Sequence, residues 1–393
     1  MREYRTVSAD SHLEVPVDKW THRVPERFRD RAPRRIKMPH GGDGFMVEGH
    51  LSFGGTGHYA GHTPEDFHPL ALDFDEAAGS GDPQQRLREQ DQDGIDAEIM
   101  YPGGGGGQSL KNIRDRESYL RILRAYNDWL AEEYCSVAPD RLLGVGLLPN
   151  VGADADIAEL EHCAKIGLKA VVMYSFPNGG GNPLPDDDKF WDAAVDIPVG
   201  LTVHTSMSRG PGQRGERMLK YPKNPEGDQR PPVDLVDRMA RYGTRHCGAL
   251  EAVQMVMDGV FDRHPKLKIY WAENNIGWIP IYLEQMDMNY EVNHHWAERL
   301  MGLKPLNRKP SEYIREHAHW GFFDDPIGVK LRNEVGVDHI MWGSDFPHEV
   351  SRWPHSLEVL DEQLAAGGVT ADEKRKMLAQ NAIDFFHLDG KAV

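Results

Sequence analysis

Beyond residue 85 the chain keeps repeating one unit. An amphipathic stretch with helical spacing is followed by a short, nearly unbroken apolar run. "PQQRLREQDQDGID" leads into "AEIMYP", "ESYLRILRAYNDWLAEEYCSVAPD" into "RLLGVGLLP", and "DADIAELEHCAKIG" into "LKAVVMYS". The same order returns in "FWDAAVDIPVGLTVHTS", in "EAVQMVMDGVFDRHPKLKIYWAEN" and in "IGVKLRNEVGVDHIMWGSD". A further strand is expected near the start, where "YRTV" runs into "SADSHLEVP". Strands without apolar–polar alternation, separated by helices, predict a parallel sheet covered on its faces. With about eight strand candidates, an α/β architecture of the (β/α)8 TIM-barrel type fits best, and a doubly wound open sheet is the alternative. The reading is one barrel domain spanning residues 1–393. Residues 17–84 break the rhythm: "HGGDGFMVEGHLSFGGTGHYAGH" is rich in Gly and His, keeps its aromatics and has no clean period. This irregular N-terminal segment is expected to be an insertion or lid.

Composition narrows the partners. Acidic residues outnumber basic ones 62 to 45, a net charge of −17, which argues against nucleic acid or an anionic membrane surface as a partner. Three cysteines without a C-x-x-C are neither a disulfide framework nor a zinc finger, and suit a reducing cytoplasm. "MREYRTVSADSH" has no apolar core of signal-peptide type, and no window approaches the roughly 18 apolar residues of a membrane span. The glycine run at 103–107 lacks the Lys-Ser/Thr of a phosphate loop and reads as a connection. The expectation is a cytoplasmic protein that acts on a small molecule.

Candidate chemistry gathers at the predicted strand ends. In "SADSHLEVP", Asp10, His12 and Glu14 occupy alternate positions, so one face of a strand would carry two carboxylates and an imidazole. Buried together, such groups are costly unless paired or metal-bound. His204 ends a middle strand, Glu273 a later one and Asp345 the last. In a barrel these ends converge on one face. Taken singly, His204 also reads as a core histidine and Asp345 as a helix cap. Taken together, the N and O donors suit Zn, Mn or Fe(II), one or two ions per chain.

"DSH", "LTVHTS", "HPKLKIYWAENNIGWIP" and "IMWGSDFPHEVSRWP" resemble the amidohydrolase superfamily, and more narrowly its amidohydrolase-2 group, which includes aminocarboxymuconate-semialdehyde decarboxylase. The resemblance covers nearly the whole chain and is most specific at "WGSDFPH". It implies a (β/α)8 barrel with Asp10, His12, His204 and Asp345 as metal ligands, Asp345 also moving a proton. Decarboxylases of the group usually carry a histidine where this chain has Glu273. That departure favours Glu273 as a base or as the ligand of a second metal, assisted by Glu14 or by His294 and His295. A surface helix face is the other reading of the two histidines. His348 and Glu349 are expected near the metal, His348 as a donor to substrate. Tyr101 and Arg209 are the expected substrate contacts, with Arg214 completing a local basic patch.

The function expected from these residues is a metal-dependent hydrolase that activates water to cleave an ester, thioester or amide, a CoA thioester being one candidate. The alternative is a non-oxidative decarboxylase or hydratase of an aromatic or unsaturated acid. A catalytically silent barrel is a third reading, disfavoured by intact ligands at all four of these strand ends. Members of the group often dimerise, which makes a homodimer one expectation and leaves the oligomeric state open.

Overall fold

A computed structural model describes residues 2–38, 41–53, 58–68, 72–103, 106–207 and 248–393. Eight parallel strands follow one another around a single sheet in chain order. They are β1 Val7–Leu13, β2 Ala97–Pro102, β3 Leu142–Leu147 and β4 Ala170–Met173, then β5 Gly200–His204, β6 Ile269–Ala272, β7 Ala318–Phe322 and β8 Ile340–Trp342. The circle closes just beyond β8. The Asp345 N–H donates to the Asp10 carbonyl at 2.9 Å and the His12 N–H to the Phe346 carbonyl at 2.6 Å. The architecture is therefore the (β/α)8 barrel and not the open sheet.

Every residue of β1, β2, β3, β4, β6 and β8 is buried. One face fills the barrel and the other meets helices, so both faces select apolar side chains and the period-2 signal vanishes. The helices carry ordinary stop and start chemistry. Pro83–Asp93 begins at Asp82, whose carboxylate accepts from the Gln85 N–H at 2.8 Å, and ends at Gly94 with φ +74°. This helix is tied inward by a buried ion pair. Arg86 Nε donates to Glu98 on β2 at 2.6 Å, while Arg86 Nη1 donates to the His12 carbonyl at 2.9 Å. Arg86 thus pins the C-terminal end of β1. Among the described residues no helix is long and apolar enough to cross a membrane.

The described part of residues 17–84 holds regular structure. Three short 3₁₀ turns, Val17–Lys19, Thr21–Arg23 and Glu26–Arg31, lead into an antiparallel sheet of Arg34–Lys37, Asp43–Val47 and His50–Phe53. Strands of four or five residues are too short to show a period, and polar pairing replaces apolar patterning. The buried Asp43 carboxylate accepts from Arg35 at 2.6 Å and from the Phe74 N–H at 3.0 Å, and lies 3.0 Å from Lys37 Nζ.

Burial alone would raise the Asp43 pKa, but Arg35, the Phe74 N–H and Lys37 outweigh it and hold the group down to about 2. A depressed carboxylate stabilises the fold above its unfolded value near pH 4, and this contribution drains away as the pH falls toward about 2. Wild type and Asp43→Asn are expected to differ in Tm at pH 7 and to converge as the pH drops below 4. A difference that stays constant across that range contradicts this account of the sheet.

Candidate metal centre and active site

β1 carries one residue more than its neighbour. Ser8 pairs with Glu98 and Ser11 with Met100, so an extra residue sits between Ser8 and Ser11 as a bulge. Ser8 Oγ donates to the Asp10 carbonyl at 2.8 Å and accepts from the Ser344 N–H at 2.9 Å. The bulge is thereby stitched to the segment after β8. Gly343 makes the approach feasible: a Cβ there would lie 2.5 Å from Cβ of Asp10 and 2.9 Å from its nitrogen. Any side chain would push the two strands apart.

Four predicted residues meet at this seam. His12 Nε2 lies 3.0 Å from His204 Nε2, 3.1 Å from Asp345 Oδ1 and 3.7 Å from Asp10 Oδ1. His204 Nε2 is 3.6 Å from Asp10 Oδ1. Ligand atoms each about 2.1 Å from one ion stand roughly 3.0–3.5 Å apart at right-angled to tetrahedral spacing; the His12 contacts to His204 and Asp345 fall in that range and the two to Asp10 lie just beyond it. Neither oxygen of Asp10 has a hydrogen-bond partner, nor has Asp345 Oδ2, although all three are buried. Orphaned buried carboxylate oxygens facing two imidazoles are a poor arrangement for protein alone and a good one for a divalent cation. Burial lowers the His12 pKa to about 3, leaving the neutral imidazole a metal requires. Burial raises that of Asp10, whereas at His204 the carboxylates of Asp10, Glu273 and Asp345 outweigh burial and raise the pKa. A bound cation would oppose both of these shifts.

The strand ends reach this point through unusual backbone. Thr205, Glu273 and Asp345 all have positive φ, at +54°, +54° and +50°. Non-glycine residues in the left-handed region are uncommon and cluster where surrounding structure fixes them for function. Asn274 supplies part of that structure. Its Nδ2 donates to the Ala272 carbonyl at 2.6 Å and the Thr205 carbonyl at 3.0 Å, and its Oδ1 accepts from the Gly248 N–H at 2.7 Å.

A second layer surrounds the seam. His348 Nδ1 lies 3.1 Å from Asp345 Oδ1 and its Nε2 3.2 Å from Glu14 Oε1, while its ring packs 3.9 Å from that of His12. Burial works against a charge on His348, but the carboxylates of Asp345 and Glu14 outweigh it and raise its pKa well above the ordinary value. Glu14 is therefore a partner of His348, and it stands outside the donor cluster. Tyr101 packs its ring 4.8 Å from His204 and 6.1 Å from His12, backing both. Glu273 Oε2 lies 3.4 Å from His204 Nε2.

This geometry bears on two expectations. Among the described residues the donor groups able to hold an ion are Asp10–His12–His204 and His12–Asp345–His348, which share His12. Glu273 belongs to neither group and meets the first through His204. His295 is exposed on the helix Ile279–Met301, against His294, which bonds Glu298 at 2.6 Å and stacks on Tyr290. The helix-surface reading describes both histidines. Arg209 and Arg214 lie outside the described residues.

Three contributors were not singled out from sequence. Arg86 and Asn274 work through backbone carbonyls, which leaves no trace in residue spacing. His58, buried, pairs by backbone with His348, and the Tyr59 and Ala60 N–H groups donate to the Pro347 carbonyl at 2.8 and 3.0 Å. The only sequence signal for His58 was its place in a Gly- and His-rich stretch.

The amidohydrolase family model matches residues 17–388. The chain belongs to the amidohydrolase family. It is 26% identical over 315 residues to gamma-resorcylate decarboxylase of Rhizobium sp. (strain MTP-10005), covering 78% of this chain and 87% of that one. Other relatives at 23–26% identity are also named decarboxylases. Among solved structures, an amidohydrolase from Mycobacterium avium subsp. paratuberculosis K-10 superposes with TM-score 0.69 at 17% identity, covering 98% of both chains. A dihydroxybenzoic acid decarboxylase from Polaromonas sp. JS666, solved with manganese and 2-nitroresorcinol, superposes with TM-score 0.56 at 17% identity, covering 99% of this chain and 98% of that one. These names overturn the acyl-hydrolase expectation.

Gly343→Ala tests the seam. It is expected to destabilise the fold by about 1–3 kcal/mol, the usual range for overpacking, and to weaken Mn2+ binding at the same time. Loss of stability with unchanged metal affinity would separate the seam from the centre.

Proposed function

We propose that this protein is a divalent-metal-dependent, non-oxidative decarboxylase of an aromatic or unsaturated carboxylic acid. The observation that carries the reading is the likeness to gamma-resorcylate decarboxylase over 78% of the chain. The donor set at the barrel mouth is compatible with it. Asp10, His12, His204 and Asp345 would hold the ion, with mixed imidazole and carboxylate donors that suit Mn2+ or Zn2+. Once bound, the ion would attract the substrate carboxylate or a neighbouring hydroxyl and stabilise negative charge there.

The protein's own groups handle the proton. Asp345 has one oxygen, Oδ1, facing His12 and His348, and its Oδ2 has no partner. His348, with a carboxylate at each ring nitrogen, is placed to pass a proton to Asp345. Asp345 then protonates the carbon that bears the departing carboxylate. A C–H bond forms, the C–C bond breaks, its electron pair restores the π system, and CO2 leaves. Glu273 steadies His204 from outside the cluster. In this reading residues 17–84 are the cover of one barrel domain spanning 1–393, held over the mouth where His58, Tyr59 and Ala60 meet His348 and Pro347.

The test is CO2 release by Mn2+- or Zn2+-loaded protein from a panel of hydroxybenzoates, including 2,6-dihydroxybenzoate, and of unsaturated carboxylates. Turnover is expected with at least one, abolished by chelation, and lowered at least about 100-fold by Asp345→Asn, the lower bound for losing a positioned acid–base group. Cleavage of esters or thioesters with no CO2 from any acid overturns the proposal.

A further inference from the structure

The cover over the barrel mouth carries one histidine that the proton chemistry does not use. His58 is only 1% exposed, yet neither its Nδ1 nor its Nε2 has a hydrogen-bond partner. Buried polar side chains nearly always make such a bond, and leaving one unmade opposes folding. The backbone around His58 is firmly seated. The Tyr59 and Ala60 N–H groups both donate to the Pro347 carbonyl, at 2.8 and 3.0 Å. A second stretch of the cover rests on the same proline, where a Cβ at Gly79 would lie 2.7 Å from Pro347 Cγ. The bare ring therefore belongs to a docked segment and not to a loose loop tip.

Its direction follows from the backbone. His58 and His348 form an antiparallel bridge. Residues directly opposite one another in such a pair send their side chains to the same face, with Cβ atoms roughly 4.5–5.5 Å apart. The His348 side chain points at the centre: its nitrogens meet Asp345 and Glu14, and its ring packs 3.9 Å from that of His12. His58 thus faces the centre from the cover side, one side chain away from the group that supplies the proton. Burial, the largest influence on it, lowers its pKa to about 4; the charges of Glu14 and His348 come next, as this direction requires. A neutral ring has one N–H and one acceptor nitrogen. The Ala78 carbonyl faces the ring and can draw the N–H, which leaves the acceptor nitrogen for a ligand.

We propose that His58 is a specificity-determining substrate contact, accepting a hydrogen bond from a hydroxyl that the acid carries away from its metal-bound carboxylate. This rests on the decarboxylase reading and deepens it by naming the residue of the cover that reads the substrate. A bare acceptor nitrogen is satisfied by a neutral donor and by nothing that only accepts, so a second carboxylate is the wrong group for this position. A methyl group of the same size leaves the nitrogen buried and unpaired, which is how a site built around a hydrogen bond rejects an isostere that lacks it. The unpaired ring weakens the ligand-free fold and is satisfied only when substrate is bound. That is the behaviour of a recognition group and the opposite of a packing residue.

The test uses the full-length, Mn2+-loaded protein and calorimetric titration with 3- and 4-hydroxybenzoate and with 3- and 4-methylbenzoate. In these pairs of like shape the hydroxyl is too far from the carboxylate to share its metal ion. Wild type is expected to bind at least one hydroxybenzoate at least tenfold more tightly than its methyl counterpart. His58→Phe is expected to erase that preference, leave methylbenzoate affinity and Mn2+ content unchanged, and leave the Tm of the ligand-free protein the same or higher. His58→Gln, which keeps an acceptor, is expected to retain part of the preference. Wild type that binds the acids with no hydroxyl preference overturns the assignment alone, as does a preference that survives in His58→Phe. A His58→Phe variant that loses stability and all four acids together marks a packing residue and also overturns it. Wild type that binds none of the acids overturns the assignment together with the decarboxylase reading.

Discussion

Two backbone hydrogen bonds at the seam between the first and last strands govern this molecule. The Asp345 N–H donates to the Asp10 carbonyl, and the His12 N–H donates to the Phe346 carbonyl. They close the barrel and, in the same few ångströms, bring together candidate ligands some 330 residues apart in sequence. Closure leaves no free sheet edge at the site, so the ligand positions are set by the barrel and not by a loop. Gly343 permits the approach, and the Ser8–Ser344 contacts hold the bulged strand in register.

Precise placement has a stability cost. Three strand-end residues hold left-handed backbone, and a cluster of carboxylates and imidazoles is buried with oxygens left unsatisfied. Each such feature opposes folding by roughly 1–3 kcal/mol. A divalent cation offsets the electrostatic part, because it binds only the assembled centre and so favours the folded state by linkage. Arg86 and Asn274 offset part of the rest by tying the strand ends through their carbonyl groups.

Much of this was legible in the residues. The alternation of helices with unbroken apolar runs revealed the barrel, because strands buried on both faces cannot carry a period of two. Asp10, His12, His204 and Asp345 stood out because strand ends are poor places for polar groups without a partner. What the pattern could not carry was relation in space. Glu14 shares a strand with Asp10 and His12 but meets His348 instead of joining the donors. His295 lies only 22 residues after Glu273, yet the helix that holds it takes it to the surface. Residues 17–84 hid a sheet because its strands are short and held by charge pairs such as Arg35–Asp43. The reaction class was misread for a deeper reason. One ion in such a centre serves water activation or carboxylate binding equally well, and Glu273, which was to decide between them, lies beside His204 in a position compatible with either.

The most direct measurement of this account is the number of metal ions per chain, by elemental analysis of protein purified without added metal or chelator and again after loading with Mn2+ or Zn2+. The account predicts one tightly held divalent ion per chain, lost in Asp10→Asn and kept in Glu273→Gln. No binding of either metal, or two ions of which Glu273→Gln removes one, contradicts a single centre assembled at the seam.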